Sequence, residues 1–461
     1  MNLKYPAILD PHFQPMELVL REYEALVAAS QHQRLTLALE RHNQYCETFS
    51  FDILKDGIDD ARNNAIVERY VKTLLWVFGG WKIHVCGSRP VYEYLKAAYT
   101  REGLRQFDVW FMGDRTYERP FEVVYVENEA DMPRTRHSAS PVGRHLKGCR
   151  IGFDAGGSDR KVSAVIDGET VYSEEVVWHP KTQSDPQYHL DGILDSFRRA
   201  ASKMPRVDGI GVSTAGVTIA NRMMVAALFI KVSEEDFDKH VKNIYLEAAK
   251  QLGENIPIEV ANDGDVTALA GAMDLNENGI LGIAMGTSEA GGYVDPNGNI
   301  TGWLNELAFA PVDFYTGAAV DEWSGDYGCG VKYFSQDGVI KLAPAAGIEL
   351  DENLTPAEKL SVVQELMAKD DPHAAKIYET IGTYFGYTLA YYARFYDISH
   401  VLIMGRVTSG KGGEILLTRA REVLEGEFPE LAKKMQLNIP SESSRRVGQS
   451  IAAASLPADP M

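Results

Sequence analysis

Apolar residues recur three and four positions apart through 18–29 and 61–76, so the chain is expected to open on amphipathic helices. The period then changes. Lys82–Cys86 reads as a strand, Gly87-Ser88-Arg89-Pro90 as a turn with Pro opening a helix, and 91–99 as that helix. Residues 107–112 and 121–126, rich in β-branched and aromatic side chains, are further strand candidates. The first 147 residues therefore read as an α/β or α+β module. Its Gly-Ser-Arg turn can hold an anion at a helix start, but a plain strand-to-helix connection is the simpler reading. Residues 129–147 are polar, Pro-containing and without period, the mark of a linker or exposed loop. Arg134, Arg136, His137 and Arg144 there read as a solvated basic stretch, with a boundary near Gly148.

Beyond the boundary, 150–167 reads as two strands around a polar tip, 170–178 as a third strand and 190–204 as a helix. The segment 209–217, GIGVSTAGV, is a buried strand running into a turn of small residues, where Thr214 either borders a ligand or packs tightly. A helical run over 235–252 precedes 256–272, an apolar strand, an Asn262-Asp263-Gly264-Asp265 turn and a helix of small residues. Residues 280–302 repeat the opening plan: strand, Gly-Thr-Ser tip, second strand. The repetition suggests two related lobes with a ligand between them. Helical spacing returns over 355–396, followed by a buried strand at 401–405, a Gly/Ser-rich loop, a helix over 414–425 and a small-residue helix from Arg445 that can pack back on the first lobe.

Composition narrows the class. With 461 residues, 45% hydrophobic and 24% charged, the chain has the make-up of a globular protein of more than one domain. A net charge of −19 repels a phosphate backbone, so nucleic acid is not an expected partner. Four cysteines, Cys46, Cys86, Cys149 and Cys329, lie far apart with no CxxC pair, as in a reducing cytoplasm. No segment reads as a leader or a bilayer span, and a cytoplasmic protein without membrane partners is the expectation.

Phosphate chemistry enters at the two tips. Gly156 and Gly157 let a backbone approach a bound group closely, and successive N–H groups in such a turn make an anion-binding concavity. Asp154 ends the first strand where a carboxylate can hold a hydrated Mg²⁺, and Ser158 and Lys161 add a hydroxyl and a positive charge. An ordinary hairpin needs the same residues, so partners elsewhere must decide. Gly286, Thr287 and Ser288 offer a second set of donors. Asp263 can be a simple helix cap, but two acidic residues and an Asn in one turn exceed what a cap needs and favour a site.

In this order the motifs resemble the sugar kinase, actin and Hsp70-like ATPase superfamily, and within it the ROK family, over about 150–455. The resemblance implies a two-lobed actin-like ATPase (ribonuclease H-like) α/β fold with an additional N-terminal α/β or α+β domain. It divides the chain into 1–147, a first lobe of 148–262 plus 440–461, and a second lobe of 263–439. Asp154, Gly156, Gly157, Ser158 and Lys161 are similar to its first phosphate motif, and Gly286, Thr287 and Ser288 to its second. Asn262-Asp263 is similar to its sugar-binding pair with the catalytic base, Asn305-Glu306 to its sugar-gripping glutamate segment, and Gly405 with Gly412 and Gly413 to its adenosine loop.

The departures matter equally. Only Cys329 remains of the family's zinc cluster, the metal-binding His is Phe309, the carboxylate after the cluster is Gln336, and the second Gly of the adenosine loop is Arg406. With thiolate and imidazole ligands missing, no zinc is expected. The implied function is an ATP- and Mg²⁺-dependent kinase that phosphorylates a hydroxyl of a sugar or sugar derivative. Asp263 is its base, Asn262, Glu306, Gln336 and Thr214 hold the substrate, and a homodimer is admitted. The alternative is a catalytically inactive sugar-binding or regulatory protein of that family.

Overall fold

The computed structural model describes residues 3–137, 142–440 and 442–459. Parts of the expected linker (138–141) and of the C-terminal segment (441, 460 and 461) lie outside the described residues. The N-terminal unit is built on a four-stranded sheet ordered β2-β1-β3-β4, with β1 His32–Glu40, β2 Cys46–Leu54, β3 Lys82–Cys86 and β4 Glu122–Tyr125. Helices Met16–Ala28, Asp60–Phe78 and Arg89–Ala98 accompany it. Asp59 caps the second of these by accepting from the Arg62 N–H at 3.0 Å, and Ser88 caps the third. The strand expected at 107–112 is a correction: Gln106–Val109 is α-helical and Trp110–Tyr117 a wider π-helical continuation. Its aromatic residues satisfy helical packing as readily as strand packing. Phe107 and Phe111 face Trp76, Phe309 and Trp323, so tertiary contacts override propensity.

The next sheet has five strands ordered β11-β8-β5-β6-β7, formed by β5 Cys149–Ala155, β6 Asp159–Ile166, β7 Glu169–Val177, β8 Gly209–Thr214 and β11 Ile258–Asn262. β5, β8 and β11 run parallel, while β6 and β7 follow as antiparallel neighbours. A ribbon of β9 Val217–Ile219 and β10 Arg222–Val225 projects from the end of β8. The third sheet is ordered β13-β12-β14-β15, from β12 Ile280–Met285, β13 Glu289–Val294, β14 His400–Met404 and β15 Gln436–Asn438. Its β12-β13 pair is antiparallel like β5-β6, so the duplicated hairpin expected from the sequence is present in both sheets. The helical run over 235–252 is broken into Glu234–Asp236, a π-helical Phe237–Val241 and Ile244–Leu252. The stripe over 355–396 forms two helices, Pro356–Ala368 and Pro372–Tyr392, the second capped by Asp371.

The first of these two lobes has its own core, including Ile151, Phe153, Phe197 and Ile210. The second does not stand alone. Val71, Leu74 and Leu75 of the N-terminal unit share one continuous core with Leu281, Ile283, Ile381 and Phe385. The final helix, Glu442–Ala454, lies across β5 and β8, where a side chain on Gly152 or Gly211 would run into the carbonyls of Ser450 and Ala453. Together with the Asp263–Leu275 helix it encloses a smaller core of Val266, Leu269, Ala452 and Ala453.

Candidate functional site

Strand register brings the first group together. Asp154 lies opposite Ser213 on β8, and Thr214 opposite both Ala155 and Asn262. Neighbouring strands are about 4.8 Å apart, so Asp154 and Asn262, on strands either side of β8, end roughly 10 Å from each other. Asp154 is 7% exposed and accepts a 2.8 Å hydrogen bond from the Ser213 hydroxyl. Gln449, on the final helix, donates to the same oxygen at 3.4 Å. Both bonds fall on Oδ1 and leave Oδ2 for a water or cation. Burial, reinforced by the Asp263 carboxylate, pushes the Asp154 carboxyl up to about 6. A buried carboxylate with one oxygen to spare fits Mg²⁺, which takes one or two protein carboxylates and completes its shell with water and substrate phosphates. Among the described residues no group of three or more His, Cys, Asp or Glu side chains is placed to hold a metal by itself.

The tip that follows Asp154 is open. Gly157 and Ser158 are exposed, and Trp178 Nε1 braces the turn by donating to the Gly156 carbonyl at 2.8 Å. Lys161 is paired with Asp159 at 3.4 Å. The Lys181 side chain reaches the Cα face of Gly157, a cation at the tip that sequence reading missed because it comes from a short 3₁₀ turn 24 residues downstream. Thr214 is fully buried, its hydroxyl bonded to that of Tyr245 at 2.8 Å, which makes it part of the wall.

Asp263 opens the Asp263–Leu275 helix one residue past the end of β11. Asn262 is the helix cap: its Oδ1 accepts from the Gly264 N–H at 2.7 Å and its Nδ2 donates to the Gly216 carbonyl at 2.8 Å. Part of Asp263 stays open to solvent, yet desolvation holds its carboxyl above the ordinary value. This helix start is pressed against the second hairpin. A side chain on Gly292 would run into the backbone of Gly264 and Asp265. Asp265, 4% exposed, accepts from the Tyr293 N–H at 3.0 Å and from Asn305 Nδ2 at 2.9 Å. Tyr396 donates to Asn305 Oδ1 at 2.8 Å, holding it at a positive φ of 52°.

Glu306 is thereby aimed toward Asp263. The Asp60–Phe78 helix ends with two carbonyls unspent, and these accept the N–H groups of Asn305 (from Val77) and Glu306 (from Trp76), each at 3.0 Å. Burial first, then the charges of Asp263 and Asp265, push the Glu306 carboxyl up to about 7. Glu289, two residues past Thr287, is 3% exposed with neither carboxylate oxygen hydrogen-bonded. Burial and the neighbouring Glu306 push it up to about 8. Thr287 and Ser288 themselves are exposed. The Gly286 carbonyl accepts from the Gln336 N–H at 2.8 Å, and Gly405, at φ 100°, packs on Met285 so closely that no side chain fits. Gly412 lies against the Tyr378 ring and Gly413 against the Thr408 carbonyl at the start of the Lys411–Glu427 helix.

No protein-family model matches the chain, and no curated protein matches it significantly. Solved structures do. A ROK hexokinase from Thermus thermophilus, 18% identical, aligns over 66% of this chain and 97% of its own length with a TM-score of 0.50. A ROK-family transcriptional regulator, a homolog of the E. coli MLC protein, aligns over 68% of this chain and 79% of its own at 18% identity with a TM-score of 0.52. The chain has the fold of the ROK proteins. A ROK glucokinase from Streptomyces griseus in complex with glucose and AMPPNP superposes at a TM-score of 0.48, with 19% identity over 67% of this chain and 98% of its own.

Within this ROK fold two of the segments that depart from the family motifs, those of Phe309 and of Cys329, are packed by the N-terminal unit. Phe309 lies against Trp76, with ring centres 4.4 Å apart, and against Phe107 at 5.5 Å. Asp326, three residues before Cys329, takes three buried cations: Arg69 at 2.7 Å, Lys72 at 3.0 Å and Arg105 at 3.0 Å. They hold its carboxyl far below the usual range. All four cysteines are free and buried, and burial pushes the Cys329 thiol up to about 12. Among the described residues no helix is long and apolar enough to cross a membrane.

Proposed function

We propose that this chain is a ROK-family carbohydrate kinase that transfers the γ-phosphoryl group of ATP to a hydroxyl of a sugar or sugar derivative. Its lobes would be 148–262 with 440–461, and 263–439, joined to the N-terminal unit. The observation that carries the reading is the placement of Asp263: it sits at a strand end and helix start, with Asp154 and Glu306 close enough for its charge to raise both carboxyls. In the reaction, Asp263 takes the acceptor hydroxyl's proton as that oxygen attacks the γ-phosphorus, and the bond to the departing ADP oxygen breaks. A carboxylate whose pKa lies above its ordinary value is a stronger base at neutral pH than a solvated one. Asn262, Glu306 and Gln336 would orient the sugar. The two Gly-rich tips, with Lys161 and Lys181 beside the first, would receive phosphate oxygens through N–H and hydroxyl donors. Bound Mg²⁺ near Asp154 would supply charge neutralisation on the phosphates.

Phosphoryl transfer depends on positioning and electrostatics, so removing the base leaves binding in place. Asp263→Asn is expected to lower ATP-dependent turnover across a panel of sugars by roughly 10²–10⁴-fold, while the sugar-induced rise in Tm persists. A second reading, a sugar-binding or regulatory protein without turnover, is favoured by the replacements at Phe309, Gln336 and Arg406. Sugar-induced stabilisation with no ADP formed by the parent protein would establish it instead.

A further inference from the structure

A cavity of about 240 Å³ lies beside the Asn262 end of the site, between the N-terminal unit, the β9-β10 ribbon and 301–304. A space of this size has room for one small ring. The N-terminal unit lines it with Arg41, His42, Tyr45 and Tyr117, whose rings cluster: His42 and Tyr45 meet edge-on at 5.3 Å, and His42 and Tyr117 stack at 6.3 Å. Arg41 is 3% exposed and spends its terminal nitrogens on Glu47 (3.1 Å) and the Gly302 carbonyl (3.3 Å), leaving its buried Nε without a partner. His42 Nδ1 is also buried and unpartnered. The cavity is thus lined by a cluster of aromatic rings and by single neutral-type hydrogen-bond positions. The one guanidinium in its lining is already neutralised, and the lining also carries the Glu259 carboxyl, which does not favour an anion.

Aromatic walls with scattered single hydrogen-bonding atoms match a pyranose ring, which presents apolar C–H faces and equatorial hydroxyls. They do not match a phosphate, which needs spare cations. We infer that this cavity binds a second sugar residue, so that the preferred acceptor is a disaccharide whose reacting ring lies at Asn262 and Asp263 and whose other ring lies against His42 and Tyr45. This rests on the kinase reading for the reacting ring alone. The second-ring contact stands or falls by binding.

The test compares maltose, cellobiose, lactose and trehalose with glucose and galactose, by calorimetric binding and by ADP formation, in the full-length parent, Tyr45→Ala and His42→Ala. At least one disaccharide is expected to bind about tenfold more tightly than its monosaccharide, with each substitution erasing that advantage and leaving monosaccharide binding unchanged. Disaccharide binding of this pattern without ADP would overturn the kinase reading and keep the second ring. Monosaccharides turned over as well as disaccharides, with both variants indifferent, would keep the kinase and overturn the second ring. No preference for any disaccharide in the binding experiment overturns it as well.

Discussion

Glu289 carries a buried carboxyl at the site with no partner on either oxygen. Its pKa is lifted from 4.5 to about 8, so the fold prefers it protonated while the unfolded chain ionises it at the ordinary value. The unfolded state therefore releases its proton first as pH rises. The stability this group leaves intact below about pH 4.5 is lost progressively up to about pH 8. Glu306 and Asp265, both near 7, and Asp154, near 6, act in the same direction over narrower windows. Glu289→Gln is expected to stabilise the ligand-free protein at pH 8 by on the order of 3 kcal/mol. The gain should shrink to near zero at pH 4.5, as read from urea midpoints at the two values. Asp154 and Asp263 were legible because each follows an apolar strand and precedes a turn of small residues. Glu289 was not, since nothing in its own neighbourhood announces that its surroundings are dry. Gln449 and Lys181 were hidden for another reason: they reach the site from elements that only the folded chain brings near.

At the scale of elements, the start of the Asp263–Leu275 helix is set by contact with a hairpin from the other sheet. Gly292 on β13 leaves no room for a methyl group against Gly264 and Asp265. Gly292→Ala must push the helix start away and is expected to cost about 1–3 kcal/mol in stability. Because a shift of about 1 Å at a reacting group can cost on the order of 10²-fold in rate, kcat should fall by a similar factor, with the sugar KM changing less. Strands β5, β8, β11, β12 and β14 could all be read from apolar runs ending in Gly, Ser or Asp. β1 could have been: Leu35, Leu37 and Leu39 alternate with Arg34, Thr36 and Ala38, but the helical spacing on either side masked a period of two. The 107–112 segment resisted for a physical reason: its aromatic residues suit a strand by propensity, but their contacts with the Trp76 and Phe309 rings are made from a helix.

For the whole molecule, the paired lobes were visible as repeated hairpins, whereas the standing of the first 147 residues was not. Their helices read as amphipathic faces, and a sequence does not say what covers such a face. Here it is covered by the core around β12 and the Pro372–Tyr392 helix. The Asp326 cluster adds Arg69 and Lys72 from the Asp60–Phe78 helix and Arg105 from the segment that follows Arg89–Ala98. A chain lacking residues 1–147 would expose that apolar surface and leave Asp326 without its cations. It is expected to lose near-ultraviolet circular dichroism and bind a hydrophobic dye, while the intact chain does neither.

The N-terminal unit also touches the first lobe, in a different manner. Val217 and Met224 of the ribbon tuck into its core, and at the surface Glu118 meets Lys242 at 2.6 Å and Arg222 at 3.0 Å, while Arg115 meets Glu234 at 2.8 Å. Anchored by an apolar core on one side and by partly exposed charge pairs on the other, it ties the two lobes together. Added salt weakens exposed charge pairs, so it should loosen this contact between the N-terminal unit and the first lobe before it alters the shared apolar core.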